Sequence, residues 1–293
     1  MVSEANASSQ PNDGVKPKSE LRQRVIYSFL MMAGGLGAAI IGGPLWGIAA
    51  AFIMAVTAHE WASLASASNK VRITTIIIST ICGLLFVIGN PQIQLISCVV
   101  FASALSIASL RGGAIGIIGS TYIALCGYSF ANLRMDPQWG LLWIFGLFSV
   151  VWATDSSAYA IGRWLKGPKL MPIASPNKTW SGFIGGIIVG TLAAGLYSIL
   201  VNGVEILFGH QDLPSKSLFR TLMPWMGVGF VLAISCQVGD LLESLVKRFF
   251  GVKDTSSLIP GHGGLLDRLD GHFAVALMLQ IFVLIPQISG LLH

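Results

Sequence analysis

Charge is what this sequence has least of. Only 11% of its 293 residues are Asp, Glu, Lys or Arg, against roughly 25% in an ordinary soluble domain, while 54% are hydrophobic. That excludes a single water-soluble globule, which cannot hide so much apolar side chain, and leaves a bilayer as the natural solvent. Cysteine is scarce too. Cys82, Cys98, Cys126 and Cys236 lie in or beside apolar stretches without C-x-x-C spacing, which excludes a disulfide framework or a zinc ribbon and leaves small buried thiols. A small-residue cleavage site is also lacking: the first apolar run continues into a second across Gly42-Gly43-Pro44, so a retained hairpin is expected rather than a signal peptide. The net charge of +5 needs no nucleic acid to explain it if the basic residues follow membrane topology.

Residues 1–24 are polar and read as a disordered cytoplasmic tail, and residues 25–293 as one transmembrane catalytic domain. The expected fold is all-α, a polytopic bundle of about nine spans, at 25–42, 44–66, 72–89, 92–110, 113–130, 138–160, 181–201, 221–238 and 272–291, each near the ~20 residues a helix needs to cross the hydrocarbon core. With the N-terminus inside, Lys16, Lys18, Arg22, Arg24, Lys70, Arg72, Arg111, Arg163, Lys166, Lys169, Lys178, Lys247, Arg248, Lys253 and Arg268 fall on the cytoplasmic face. Only Arg134, Lys216 and Arg220 of the 18 basic residues fall outside, a positive-inside pattern. Trp139, Trp143, Trp152, Trp180 and Trp225, near span ends, read as interfacial anchors.

Polar segments at 155–180, 202–220 and 237–271 interrupt the apolar pattern. The second, with His210, Asp212 and Lys216, reads as a solvated loop. In the third, Asp240, Glu243, Ser244, Lys247 and Arg248 recur at helical spacing on one stripe, with Leu242, Leu245 and Phe249 on the other side. A stripe of this kind faces a polar cavity, or belongs to a helix end solvating itself through pairs such as Glu243 to Lys247. Beyond it come Lys253-Asp254, then Pro260-Gly-His-Gly-Gly264, then Asp267-Arg268-Leu-Asp270. A glycine loop lets backbone N–H groups approach phosphate oxygens, and Asp267 and Asp270 on one helical turn can present two carboxylates to a magnesium ion that completes its shell with phosphates and water. The conjunction points to a metal–nucleotide site concentrated between Gln237 and Asp270, with the C-terminal half, about 138–293, as its frame.

The first polar segment adds Trp152, Asp155, Tyr159 and Arg163 on one helix face. Asp155, near the membrane boundary, needs a basic or metal partner. Ser175-Pro-Asn-Lys-Thr179 then offers an ammonium, a hydroxyl and helix N-terminal amides to an anion, or simply caps a helix; the P-loop spacing is absent.

The run from Ser244 to Asp270, through Lys247, Arg248, Lys253, Asp254, Pro260, His262, Gly263, Gly264, Asp267 and Arg268, resembles the C-terminal motif of the phosphatidate cytidylyltransferases, which make CDP-diacylglycerol. Asp155, Tyr159, Gly162-Arg163 and Ser175–Thr179 resemble that family's second region, and Glu60-Trp61 adds a weaker likeness in the first half. The resemblance implies CTP and phosphatidic acid as substrates, attack of the lipid phosphate on the α phosphorus of CTP, and release of pyrophosphate. It further implies Mg2+ as cofactor, with a second cation as an option, and a homodimer in the cell inner membrane whose active site faces the cytoplasm. Asp240, Asp267, Asp270 and Asp155 are the expected metal ligands. Asp240, Asp267, Lys247 and His262 are the expected catalytic set, although His262 can equally hold the turn. Lys178, Thr179, Ser244, Arg248, Lys253, Gly263, Gly264, Arg268, Tyr159 and Arg163 are expected around the substrates. Two other readings stay open: a CTP-dependent lipid-alcohol kinase, which would transfer the γ phosphoryl group, and a transporter, which would need polar residues through the depth of several spans.

Overall fold

The computed structural model describes residues 17–88, 90–207, 218–259 and 263–285. Among them are nine α-helices: α1 (Pro17–Ile41), α2 (Gly43–Leu64), α3 (Asn69–Leu85), α4 (Pro91–Ala108), α5 (Gly113–Met135), α6 (Gly140–Leu165), α7 (Trp180–Leu207), α8 (Leu218–Phe249) and α9 (Leu266–Leu284). Each expected span finds a helix. Six of the helices are long and apolar enough to cross a membrane by length and composition, with shorter apolar stretches at Phe29–Ile41 and Gln92–Ala108. The protein is therefore an all-α, membrane-type bundle. Helix α1 begins at Pro17, inside the segment expected to be disordered. His210, Asp212 and Lys216, the tail before residue 17, and the last residues of the ninth expected span lie outside the described residues.

Among the described residues the main departure from all-α is small. Between α6 and α7 the chain forms an antiparallel hairpin, β1 (Lys169–Met171) with β2 (Ser175–Thr179), Lys169 opposite Thr179 and Met171 opposite Ser175. The sequence reading had only a basic loop here. Ile173, 82% exposed, lies in its turn.

Consecutive helices alternate in direction, so one end of the bundle collects the C-termini of α2, α4, α6 and α8 and the N-termini of α3, α5, α7 and α9. Arg111 Nη1 donates to the Ser66 carbonyl at 3.3 Å, and Arg248 Nε to the Ala174 carbonyl at 3.4 Å. Trp61 ties α2 to α5 through a 2.9 Å hydrogen bond to Ser120 Oγ and lies edge-on to Phe250 beyond α8. The far end has its own fastener, where Arg134 Nε donates to the Ala39 carbonyl at 2.5 Å.

The helices that frame the polar end pack through small residues. Gly182, Gly186 and Gly190 recur every fourth residue along α7, and a Cβ on them would meet the Ala158 carbonyl at 2.6 Å, Gln237 Nε2 at 2.7 Å and the Thr154 hydroxyl respectively. Backbones this close are characteristic of membrane helix pairs, where packing takes the place of a hydrophobic driving force. Gln237 Nε2 adds a 2.8 Å hydrogen bond to the Phe183 carbonyl, joining α8 to α7. Trp143 departs from its expected role as an interfacial anchor. It is 2% exposed and packs against Trp225 with ring centroids 5.9 Å apart, because α8 crosses α6 at that level.

Gly190→Leu is expected to lower stability by about 1–3 kcal/mol through overpacking. Gly227→Ala on α8, whose Cβ would meet nothing within 4 Å, should be neutral or stabilising by up to about 1 kcal/mol. Thermal unfolding in detergent measures both, and equal effects would contradict the packing argument.

Candidate active site

The stripe on α8 faces the start of α9. Lys247 Nζ lies 2.7 Å from Asp267 Oδ1 and 3.1 Å from Glu243 Oε1, with 12%, 4% and 10% of the three side chains exposed. An ammonium between two carboxylates offsets much of the cost of burying them in an apolar bundle. Leu242 and Phe249, on the opposite side of the helix, are exposed, as an amphipathic stripe with one face toward lipid requires.

Asp267 does more than pair with Lys247. Its Oδ2 accepts from Gly264 N at 2.8 Å, from Thr255 N at 3.0 Å and from Thr255 Oγ1 at 3.0 Å. It thus closes the loop between α8 and α9 onto the first turn of α9. Burial pushes its carboxyl upward, but the Lys247 ion pair and these N–H donors outweigh burial and hold it below the usual aspartate range. Two glycines of the loop are needed sterically. Gly263 has φ +84, the left-handed region that favours glycine, and a Cβ there would stand 2.7 Å from Asp267 Oδ2. A Cβ on Gly264 would run into Thr255 and stand 2.6 Å from Glu60 Oε1. Pro260 and His262, from the same loop, lie outside the described residues.

Glu60 is the residue the sequence reading undervalued. It is 0% exposed, and its carboxylate accepts from Ser256 Oγ at 2.7 Å, Leu265 N at 2.9 Å and Leu266 N at 2.7 Å. A negative charge at a helix N-terminus satisfies the orphan amides of the first turn and opposes the helix dipole favourably. The available signal was isolation: between Leu21 and Met135 it is the only acidic residue.

A second group forms where α6, α8 and α9 meet. Asp155, Asp240 and Asp270 lie close enough to repel one another electrostatically. Lys178, from β2, is bound to Asp240 at 2.5 Å and also attracts Asp155, so the hairpin supplies the basic partner expected for Asp155. Cys236 Sγ donates to Asp155 Oδ1 at 3.5 Å, and Ser244 Oγ to Asp240 Oδ1 at 3.4 Å. The carboxylate surplus suits a hard divalent cation. Among the described residues, no group of three or more His, Cys, Asp or Glu is placed to hold a metal ion by itself.

The two aspartates expected to share a cation have different partners: Asp270 interacts with Asp240, Asp155 and Lys247, whereas both oxygens of Asp267 are engaged by Lys247 and the loop. Thr179 caps α7, accepting from Gly182 N at 3.2 Å. Tyr159 and Arg163 turn outward, hydrogen-bonded to each other at 2.8 Å with Tyr159 68% exposed. Arg248 reaches the Ala174 and Val252 carbonyls. Lys253 and Arg268 are exposed at the same end.

Fold and site together define a membrane-type helical protein that gathers carboxylates, ammonium groups and a glycine loop at one end of its bundle. The chain belongs to the cytidylyltransferase family, whose profile matches residues 22–285, and is accordingly an enzyme and a transferase. It is similar to the phosphatidate cytidylyltransferase of Brucella abortus biovar 1 (strain 9-941), 35% identical over 271 residues that cover 90% of this chain and 93% of the relative. It is also similar to proteins of that name from Bacillus subtilis (strain 168), 37% identical over 158 residues covering 54% and 53%, and from Staphylococcus haemolyticus (strain JCSC1435), 40% identical over 162 residues covering 55% and 56%.

Glu60→Ala would leave the Leu265 and Leu266 amides and the Ser256 hydroxyl without their acceptor. The expected loss is about 2–4 kcal/mol of stability, with faster amide hydrogen exchange confined to residues 255–266. Glu60→Gln, which keeps an acceptor, should recover part of it. Unchanged exchange in Glu60→Ala would remove Glu60 from its place in the loop.

Proposed function

We propose that this chain transfers the cytidylyl group of CTP to phosphatidic acid, giving CDP-diacylglycerol and pyrophosphate. The observation that carries the reading is the pairing of two cation–carboxylate units, Lys178 with Asp240 and Lys247 with Asp267, at one end of a lipid-facing bundle. The names of the relatives support it independently.

In this reaction a phosphate oxygen of the lipid forms a bond to the α phosphorus of CTP, and the bond from that phosphorus to the bridging oxygen of the β phosphate breaks. The electron pair leaves with pyrophosphate. A phosphate monoester carries about −1.5 to −2 charge near pH 7, so the nucleophile is already anionic and no strong base is required. Neutralising charge and aligning the two phosphates in line are the tasks that remain. Lys178, on a hairpin over the carboxylate group, and Lys247, held between Glu243 and Asp267, are the ammonium groups nearest that task. Arg248, Lys253 and Arg268 extend the positive surface. One or two of Asp155, Asp240 and Asp270 would hold Mg2+, which when bound supplies Lewis-acid neutralisation of phosphate oxygens. Asp267 acts by positioning Lys247 and the glycine loop.

The same reading puts the polar end of the bundle at the cytoplasmic face of the cell inner membrane, in a homodimer. Fifteen of the 18 basic residues falling to that side support the orientation.

Purified protein given CTP, phosphatidic acid and Mg2+ is expected to form CDP-diacylglycerol. Asp240→Asn should lower turnover by at least about 100-fold, the scale of losing one preorganised electrostatic contact, without lowering the yield of folded protein. Formation of CDP and a lipid phosphate when a lipid alcohol is supplied in place of phosphatidic acid would instead assign a kinase reaction, and full activity in Asp240→Asn would remove that residue from the site.

A further inference from the structure

An apolar cavity of about 530 Å³ lies between α1, α2, α6 and α9, within the ~300–1,000 Å³ usual for ligand pockets. Its walls include Phe52, Phe148 and Trp152, and among the described lining residues the only charged side chain is that of Arg268. The cavity runs up to the candidate site on two helices at once. On α6, Trp152 precedes Asp155 by one turn. On α9, Leu265, Arg268, Leu269 and His272 form the cavity face, while Asp267 faces Lys247 on α8.

The wall contributed by α1 has an unusual property. Glycines in membrane helices generally mark close approach of a neighbour, as Gly182, Gly186 and Gly190 do. Gly34 and Gly35 line the cavity, yet a Cβ on either would meet nothing within 4 Å. Their smallness therefore keeps space open instead of admitting another helix.

A second apolar cavity, of about 470 Å³, lies between α2, α5, α8 and α9, but its charged lining residues are Glu243 and Asp270. A lipid phosphate there would face carboxylates, whereas in the first cavity it would face a guanidinium suited to bidentate phosphate contact.

We propose that the acyl chains of the acceptor lipid occupy the cavity between α1, α2, α6 and α9, with the lipid phosphate against Arg268, so that the α1 and α2 walls read chain length. This rests on the cytidylyltransferase reading and adds to it the seat of the lipid. Anionic phosphate sets the end of the molecule, and apolar volume takes the rest.

The test compares the full-length wild type with Gly34→Phe and Gly35→Leu, using labelled CTP and phosphatidic acid with either two oleoyl or two hexanoyl chains. Filling the cavity should raise KM for the dioleoyl lipid by at least about tenfold, the equivalent of excluding two methylenes, with KM for CTP and turnover of the dihexanoyl lipid unchanged. An unchanged KM for the dioleoyl lipid, or equal loss with both lipids, would overturn the proposal. A second measurement is independent of turnover and of the variants' folding. Phosphatidic acid carrying a diazirine at the end of one acyl chain is photolysed with the wild type in nanodiscs without CTP. Crosslinks on residues 30–53 or 148–152 support the assignment; crosslinks on residues 115–123 and 242–249 overturn it by placing the chains in the second cavity. Failure of the wild type to form any CDP-lipid would sink the cytidylyltransferase reading alone, and the crosslinks would still decide where the lipid sits.

Discussion

A carboxylate buried in a lipid-facing bundle must be surrounded by donors, and the start of α9 is organised by two that are. Glu60 gathers the Leu265 and Leu266 amides and the Ser256 hydroxyl, and Asp267 gathers Lys247, Thr255 and Gly264. Both carboxylates are buried away from water, so protein donors must satisfy them. Together they fix the loop after α8, the first turn of α9 and the position of the Lys247 ammonium. Among the described residues, Asp155, Asp240 and Asp270 have fewer donors than Asp267 or Glu60, which suits them to a cation and phosphates.

The bundle concentrates this chemistry because its helices alternate. The hairpin between α6 and α7 brings Lys178 over the α8 carboxylate from the side. The tight α6–α7 contact through Gly182, Gly186 and Gly190 holds Asp155 and the hairpin in one rigid frame.

The helices were legible in the sequence because lipid demands apolar side chains all round each span, and so strong a demand leaves an unmistakable pattern. The α8 stripe was legible for the opposite reason, since polar residues at spacings of three and four have one explanation in a helix. The hairpin was not, because strands of three and five residues are too short to show a period. Glu60 stood out only as a lone acid, and its partners lie 196 to 206 residues away, a separation no local pattern reports. Trp143 was misread because its burial depends on packing against other helices, Trp225 of α8 among its neighbours. Asp267 and Asp270 share a helical turn, as expected, but spacing could not show that the loop would claim both oxygens of the first.

The central claim is that the bond broken in CTP is the one between the α and β phosphates. Its most direct test follows label from the γ phosphate of CTP through a single turnover with phosphatidic acid and Mg2+. The account predicts that all of the label appears as water-soluble pyrophosphate and none in the lipid extract. Label in the lipid would contradict it.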